Sequence, residues 1–166
     1  KYFLMTKFSK PGSIEALKRK PCVWAPTKAF NQSPQSQKLI KFRYMKITVI
    51  TAVYNSEETV GQALKSVATQ THSDLEHLVI EGKSSDNSLT KIEKARHPRM
   101  RLISEPDKGI YDALNKGIAH AAGDVIGFMH SDDFYAHDGV LASIGEVFED
   151  PAVEAVFGDL NDVAKD

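Results

Sequence analysis

The chain has 166 residues, 42% hydrophobic and 26% charged, with a formal net charge of −1. That composition excludes disorder throughout and leaves room for one domain with a sizeable core. No run approaches the ~18 apolar residues of a transmembrane helix, and the lone Cys22 excludes an intramolecular disulfide and has no zinc-ligand spacing to the histidines. A reducing, cytoplasmic setting is the expectation.

The near-zero charge conceals two different segments. Residues 1–44 hold ten Lys or Arg against the single Glu15, for +9, and the other 122 residues carry −10. Residues 1–44 also contain Pro11, Pro21, Pro26 and Pro34 and a polar NQSPQSQ run, without sustained periodicity. They are predicted to be an extension that is disordered, loosely attached or foreign to the domain. A basic arm for anionic lipid or nucleic acid is the functional alternative. The domain proper is predicted over 45–166.

From Lys46 the pattern changes. ITVITAV over 47–53 is a β-branched run of the kind buried on both faces of a parallel sheet. Tyr54 and Asn55 end it, and Asn55 with Glu58 predicts a capping box for a helix carrying Val60, Leu64, Val67 and Ala68. A second strand over 75–80 runs into Glu81-Gly82-Lys83-Ser84-Ser85-Asp86. Asp86 is expected to cap a short helix holding Leu89 and Ile92, which His97-Pro98 closes.

The organising stretch spans 103–135. A strand over 101–104 turns through Glu105-Pro106-Asp107-Lys108-Gly109 into a helix with Ile110, Ala113, Leu114, Ile118 and Ala121 on one face. Gly123 is expected to stop it in a left-handed cap. A strand over 125–129 then delivers Ser131-Asp132-Asp133 into a loop. Adjacent carboxylates there repel each other unless a cation joins them, and Mg²⁺ or Mn²⁺ shared with a phosphate suits an all-oxygen site. A helix over 139–148 and a strand over 153–157 complete a β-α-β-α-β-α-β-α-β order. The predicted fold class is α/β, a three-layer α/β/α Rossmann-like sandwich around a mostly parallel sheet, with ligands at the carboxyl ends of the strands. Neither a GxxxxGK[ST] loop nor a GxGxxG follows the first strand, which removes most support for P-loop hydrolysis and dinucleotide binding.

Three stretches, ITVITAVYNSEETVGQALKSVATQT, LEHLVIEGKSSDNS and ISEPDKGIYDALNKGIAHAAGDVIGFMHSDD, resemble the amino-terminal half of a family 2 glycosyltransferase of the GT-A fold. They are similar to bacterial enzymes that build exopolysaccharide, colanic-acid-type polymers or lipopolysaccharide. The resemblance covers residues 46–159. It implies that Thr51, Val53 and Tyr54 hold the nucleotide base, with Tyr54 either stacking on it or packing at the edge of the core. The family's Asp-Gly-x-Ser corresponds to Glu81-Gly82-Lys83-Ser84, where Glu81 keeps the carboxylate but adds a methylene. Lys83 stands where a small residue is usual and either reaches a phosphate or faces solvent. Asp107, Lys108 and Asp112 match the segment beside the nucleotide sugar. Asp133 is implied as the direct metal ligand, with Asp132 nearer the ribose and also beside the metal.

The reaction so implied is an inverting, metal-dependent transfer from a UDP- or GDP-sugar to an acceptor hydroxyl on a glycan or lipid-linked sugar, in cell-surface polysaccharide synthesis. No nucleic acid partner is expected. Peripheral association with the inner face of the membrane and homo-oligomerisation are left open. The family's general base lies in the acceptor half and is expected beyond residue 166, so no catalytic residue is assigned and the domain is expected to be incomplete at its carboxyl end. Two other classes are weighed against this: a non-catalytic nucleotide-sugar-binding or assembly module, and a receiver-like phosphoacceptor domain. The latter would need a Lys at a later strand end, where only Gly158 and Asp159 stand.

Overall fold

The computed structural model describes residues 3–7 and 45–158. Ten elements follow in chain order: β1 (Phe3–Lys7), β2 (Ile47–Val53), α1 (Val60–Ala68), β3 (Leu75–Glu81), α2 (Ser88–Lys94), β4 (Met100–Ser104), α3 (Ile110–His120), β5 (Val125–Phe128), α4 (Val140–Val147) and β6 (Ala155–Gly158). They form one six-stranded sheet in the order β4-β3-β2-β5-β1-β6. The strands β4, β3, β2 and β5 are mutually parallel, and β1 runs antiparallel to both β5 and β6. The expected α/β sandwich with a mostly parallel sheet is what forms.

The β-branched run of β2 is central because it can be buried on both faces, and period-two alternation sends its side chains into two layers. Ile47 and Val49 meet Val67, Leu141 and Phe148 on the side of α1 and α4. Ile50 meets Leu78, Ile80 and Ala113 on the side of α3. Val53 and Val79 close a further cluster with Val60, Leu64 and Ile92 beneath α1 and α2. The Arg99 guanidinium donates to the carbonyls of Ala68, Gln70 and His72, satisfying the end of α1.

Three expectations are corrected. The segment Phe3–Lys7 is a strand of the sheet, not part of a detached arm: Met5 is fully buried against Ile47, Val125 and Leu141. Lys7 lies over the Phe148 ring and donates to the Asp150 carbonyl. Five residues bounded by charge and proline gave no periodic signal, because a strand this short is specified by its neighbours. The remainder of the predicted 1–44 extension, and the Asp159 end, lie outside the described residues.

Asn55 does not cap α1. That helix begins after Thr59, and Asn55 adopts a left-handed conformation with φ 47°. Nor is Gly123 a left-handed cap: α3 ends at His120 with Ala121 extended. Glycine is required at 123 because a Cβ would stand 2.6 Å from the Thr48 amide nitrogen and 2.9 Å from the Lys46 carbonyl oxygen. The Gly123 and Ala122 amides instead donate to Thr48 Oγ1 and Glu76 Oε2.

Candidate functional site

A cleft of about 680 Å³ opens at the carboxyl edge of the sheet. It is walled by the exits of three strands and by the turn between β4 and α3. The β2 exit brings Val53 and Tyr54, the β3 exit Gly82 and Lys83, the turn Asp107 and Gly109, and the β5 exit His130 and Ser131. Tyr54 is 60% exposed, presenting an aromatic face that a flat ring can cover.

Short polar side chains lock these exits together. The Asn55 amide donates to Ser84 Oγ at 3.0 Å, and Asn55 Oδ1 accepts from the Ser85 amide at 2.9 Å. Asp86 accepts from the Glu57 amide at 3.0 Å and from the Ser88 amide at 2.9 Å. The Ser56 amide donates to Ser88 Oγ, and Ser131 Oγ donates to Ser56 Oγ at 2.9 Å, which joins the β5 exit to the rest. The left-handed turns at Asn55 and at Lys83 (φ 60°) are held by this lattice. Ser56 and Ser88 were not singled out in the sequence, and Ser131 was named only as part of the loop after β5. The signal for them was the density of Asn, Ser and Asp at successive strand ends, residues that bond neighbouring backbone wherever regular pairing stops.

The residues predicted for the site divide between the cleft and its supports. Val53, Tyr54, Lys83 and Asp107 line the cleft. Thr51 does not: it is fully buried, and its hydroxyl pairs with His77 Nε2 at 3.0 Å. It shares a face of β2 with Val53 but lies two residues inside the strand, where its hydroxyl is engaged by His77. Glu81 is also fully buried. Its Oε1 accepts from the Ser84 amide and its Oε2 from Ser104 Oγ. Burial pushes this carboxyl up, and the hydrogen bonds from Ser104, Ser84 and the Lys83 amide together bring it below its ordinary value. The extra methylene has turned the carboxylate back into the turn as a brace, with Ser84 as part of the same brace.

Asp112 starts α3 rather than facing the cleft. Its Oδ2 accepts from the Lys108 amide at 3.0 Å and lies 3.4 Å from Lys116 Nζ. The Lys108 hydrogen bond, against a smaller opposing effect of burial and with help from Lys116, holds the carboxyl below its usual range. Lys108 contributes that amide, and its side chain is exposed.

Asp107 Oδ1 accepts from the Gly109 amide at 2.8 Å. A Cβ on Gly82 would collide with Asp107 Oδ2 and stand 3.3 Å from Tyr54 Cδ2. The Asp107 carboxylate and the Tyr54 ring therefore converge on the bare backbone of Gly82.

The acidic pair sits on the turn after β5, with Asp132 exposed and Asp133 half-buried, and the Asp133 amide donates to the His130 carbonyl at 3.2 Å. Among the described residues no group of three or more His, Cys, Asp or Glu could enclose an ion. Two carboxylates offering only oxygen fit a hard divalent ion that keeps most of its shell for water and phosphate.

Comparison with known proteins decides what this edge belongs to. The family model for glycosyl transferase family 2 matches residues 48–163. The chain is a member of that family. An uncharacterized glycosyltransferase of Mycobacterium tuberculosis is 37% identical over 113 residues, covering 68% of this chain and 40% of the relative. A UDP-Glc:alpha-D-GlcNAc-diphosphoundecaprenol beta-1,3-glucosyltransferase of Escherichia coli is 34% identical over 90 residues, covering 54% of this chain and 36% of the relative. Among solved structures, the Pyrobaculum calidifontis mannosyltransferase in complex with GDP-Man and Mn²⁺ superposes with a TM-score of 0.62 at 23% identity, over 76% of this chain and 37% of the other. Staphylococcus aureus TarS 1-349 in complex with UDP-GlcNAc gives 0.57 at 27% identity, over 64% and 32%. The chain thus spans about 40% of the length of the first curated relatives it matches. Membership in the family, with its GT-A neighbours, removes the receiver-like phosphoacceptor reading. Among the described residues no helix is long and apolar enough to cross a membrane.

Proposed function

We propose that this domain binds the nucleoside diphosphate sugar donor of an inverting glycosyltransferase, in the cleft between Tyr54, Lys83, Asp107 and Ser131. The observation that carries the reading is a cleft at the strand exits of a family 2 sheet that joins the exposed Tyr54 ring to Lys83 and Ser131, with the acidic pair next in sequence after Ser131. Similarity to TarS, which is described with UDP-GlcNAc, and the fold shared with an enzyme described with GDP-Man support a UDP- or GDP-sugar as ligand.

Tyr54 stacks on the base, and Lys83 lends positive charge to the diphosphate from the rim. Asp133, with Asp132 beside it, holds the Mg²⁺ or Mn²⁺, which when bound supplies charge to the departing diphosphate. The acceptor oxygen bonds to the anomeric carbon as the bond to the diphosphate oxygen breaks on the opposite face, and a general base takes the hydroxyl proton. We assign the acceptor to a glycan or lipid-linked sugar of a cell-surface polysaccharide, met at the cytoplasmic face of the membrane. The similarity to an enzyme named for a diphosphoundecaprenol substrate supports that assignment. Val147 at the end of α4 and Phe157 on the edge strand β6 are each about half exposed, which favours a further contact, with a second copy as the simplest candidate.

Calorimetric titration with UDP-, GDP- and dTDP-sugars, with and without Mn²⁺, tests the donor site. One donor is expected to bind in a metal-dependent way, and Asp133→Ala is expected to abolish that dependence. Binding indifferent to both the ion and the substitution contradicts the role given to the acidic pair.

A further inference from the structure

The donor-site reading leaves open what recognises the base, and the obvious carboxylate is already engaged. Glu81 has no exposed surface, and its two oxygens are taken by the Ser84 amide and Ser104 Oγ. The other carboxylate in reach is Asp107. It is half-buried, it lines the cleft, and among the described residues only its Oδ1 is committed, to the Gly109 amide at 2.8 Å. Its Oδ2 lies over the backbone of Gly82, the residue whose missing Cβ also makes room for the Tyr54 ring.

Resting on that reading, we propose that Asp107 is the group that selects the nucleotide base, and that the donor carries a base with a ring N–H, uracil, thymine or guanine, rather than cytosine or adenine. An ionised carboxylate only accepts hydrogen bonds, so whatever meets Oδ2 must donate one. A diphosphate offers no donor and would be repelled. A base lying on the Tyr54 face brings its edge to the side of that ring, where Asp107 stands. Uracil N3 and guanine N1 carry the hydrogen required; the matching positions in cytosine and adenine are acceptors and would leave two acceptors opposed. Gly109, at φ 108° and ψ 176°, holds the carboxylate in place through a backbone shape that side-chain-bearing residues avoid.

The experiment is a set of calorimetric titrations in Mn²⁺ with UDP against CDP and GDP against ADP, on the wild type and on Asp107→Asn. Asparagine keeps an oxygen for the Gly109 amide but turns a donor toward the base. The wild type is expected to prefer the N–H-bearing member of its pair by about tenfold or more, as polar sites reject analogues that leave their groups unpaired. In the variant the preference is expected to shrink to within about threefold, through loss of the favoured ligand and gain of its partner. N3-methyl-UDP and 2′-deoxy-UDP on the wild type provide a test that needs no variant. Loss of about tenfold with the first and not the second is expected if uracil is the base, and the opposite order would assign Asp107 to the ribose and overturn the proposal. A variant that weakens all four nucleotides equally, keeping the ratio, also overturns it, since Asp107 would then only shape the turn. Failure of every nucleotide to bind the wild type overturns the donor-site reading itself, and this inference with it.

Discussion

The two sides of the sheet do different work. The strands β4, β3, β2 and β5 run parallel, and every residue lining the cleft lies at or just beyond one of their carboxyl ends, the turn after β4 carrying on into α3. The flank of β1 and β6 contributes nothing to the cleft but packs Met5, Leu141 and Phe148 beneath the sheet. Chemistry therefore depends on the strand exits and stability draws on the flank, so substitutions on the two sides should separate binding from folding.

The largest expected effect is on the flank. Met5→Ala empties a fully buried site and is expected to cost about 2 to 5 kcal/mol in urea unfolding. Nucleotide affinity of the folded protein should be unchanged; a matching fall in affinity would break the separation.

Acid comes next. Burial, then the neighbouring His97 and Arg99, lower the His77 pKa to about 3, and the ring is held neutral between Thr51 and His97. Because the folded-state value lies below the unfolded one, this stabilisation is full above about pH 6.5 and is lost as pH falls toward 3. The loss is about 4 kcal/mol by pH 3 and about 2 kcal/mol already by pH 5, where carboxylates contribute little. His77→Gln should flatten the stability curve between pH 6.5 and 5; an unchanged slope would contradict it.

On the other side of the sheet the effects on folding are smaller and those on binding larger. Gly109→Ala forces a side chain into φ 108° and is expected to cost about 1 to 3 kcal/mol in thermal unfolding and to weaken the nucleotide with it. Gly82→Ala pushes on the ends of the Asp107 and Tyr54 side chains, which can swing aside. Its unfolding midpoint should move least of the four, and its nucleotide affinity should fall at least tenfold, by about 1.4 kcal/mol or more.

How much of this was legible in the sequence follows the same division. The parallel half announced itself: ITVITAV can only be a strand buried on both sides, and strand-helix alternation then fixes which ends gather polar residues. Tyr54, Lys83 and Asp107 could be placed at the cleft they line because they follow such runs. Phe3–Lys7 was missed because its place depends on a groove made by residues more than a hundred positions away. The inward turn of the Thr51 and Glu81 side chains was not legible, for another reason. Motif position says which residue stands at an edge, whereas the direction of its side chain depends on partners such as His77 and Ser104, each on a different strand. Asn55 illustrates the same competition: its side chain can cap a helix or clip a neighbouring loop, and the Ser85 amide and hydroxyl that donate to its Oδ1 decided it.

The most direct test of the central claim is a crystal structure of the protein grown with UDP and Mn²⁺, or GDP and Mn²⁺ if that nucleotide binds more tightly. The base is expected against Tyr54 with its edge toward Asp107, and the ion between the diphosphate and Asp133. A nucleotide bound away from the strand exits, or an ion that leaves Asp132 and Asp133 untouched, would contradict it.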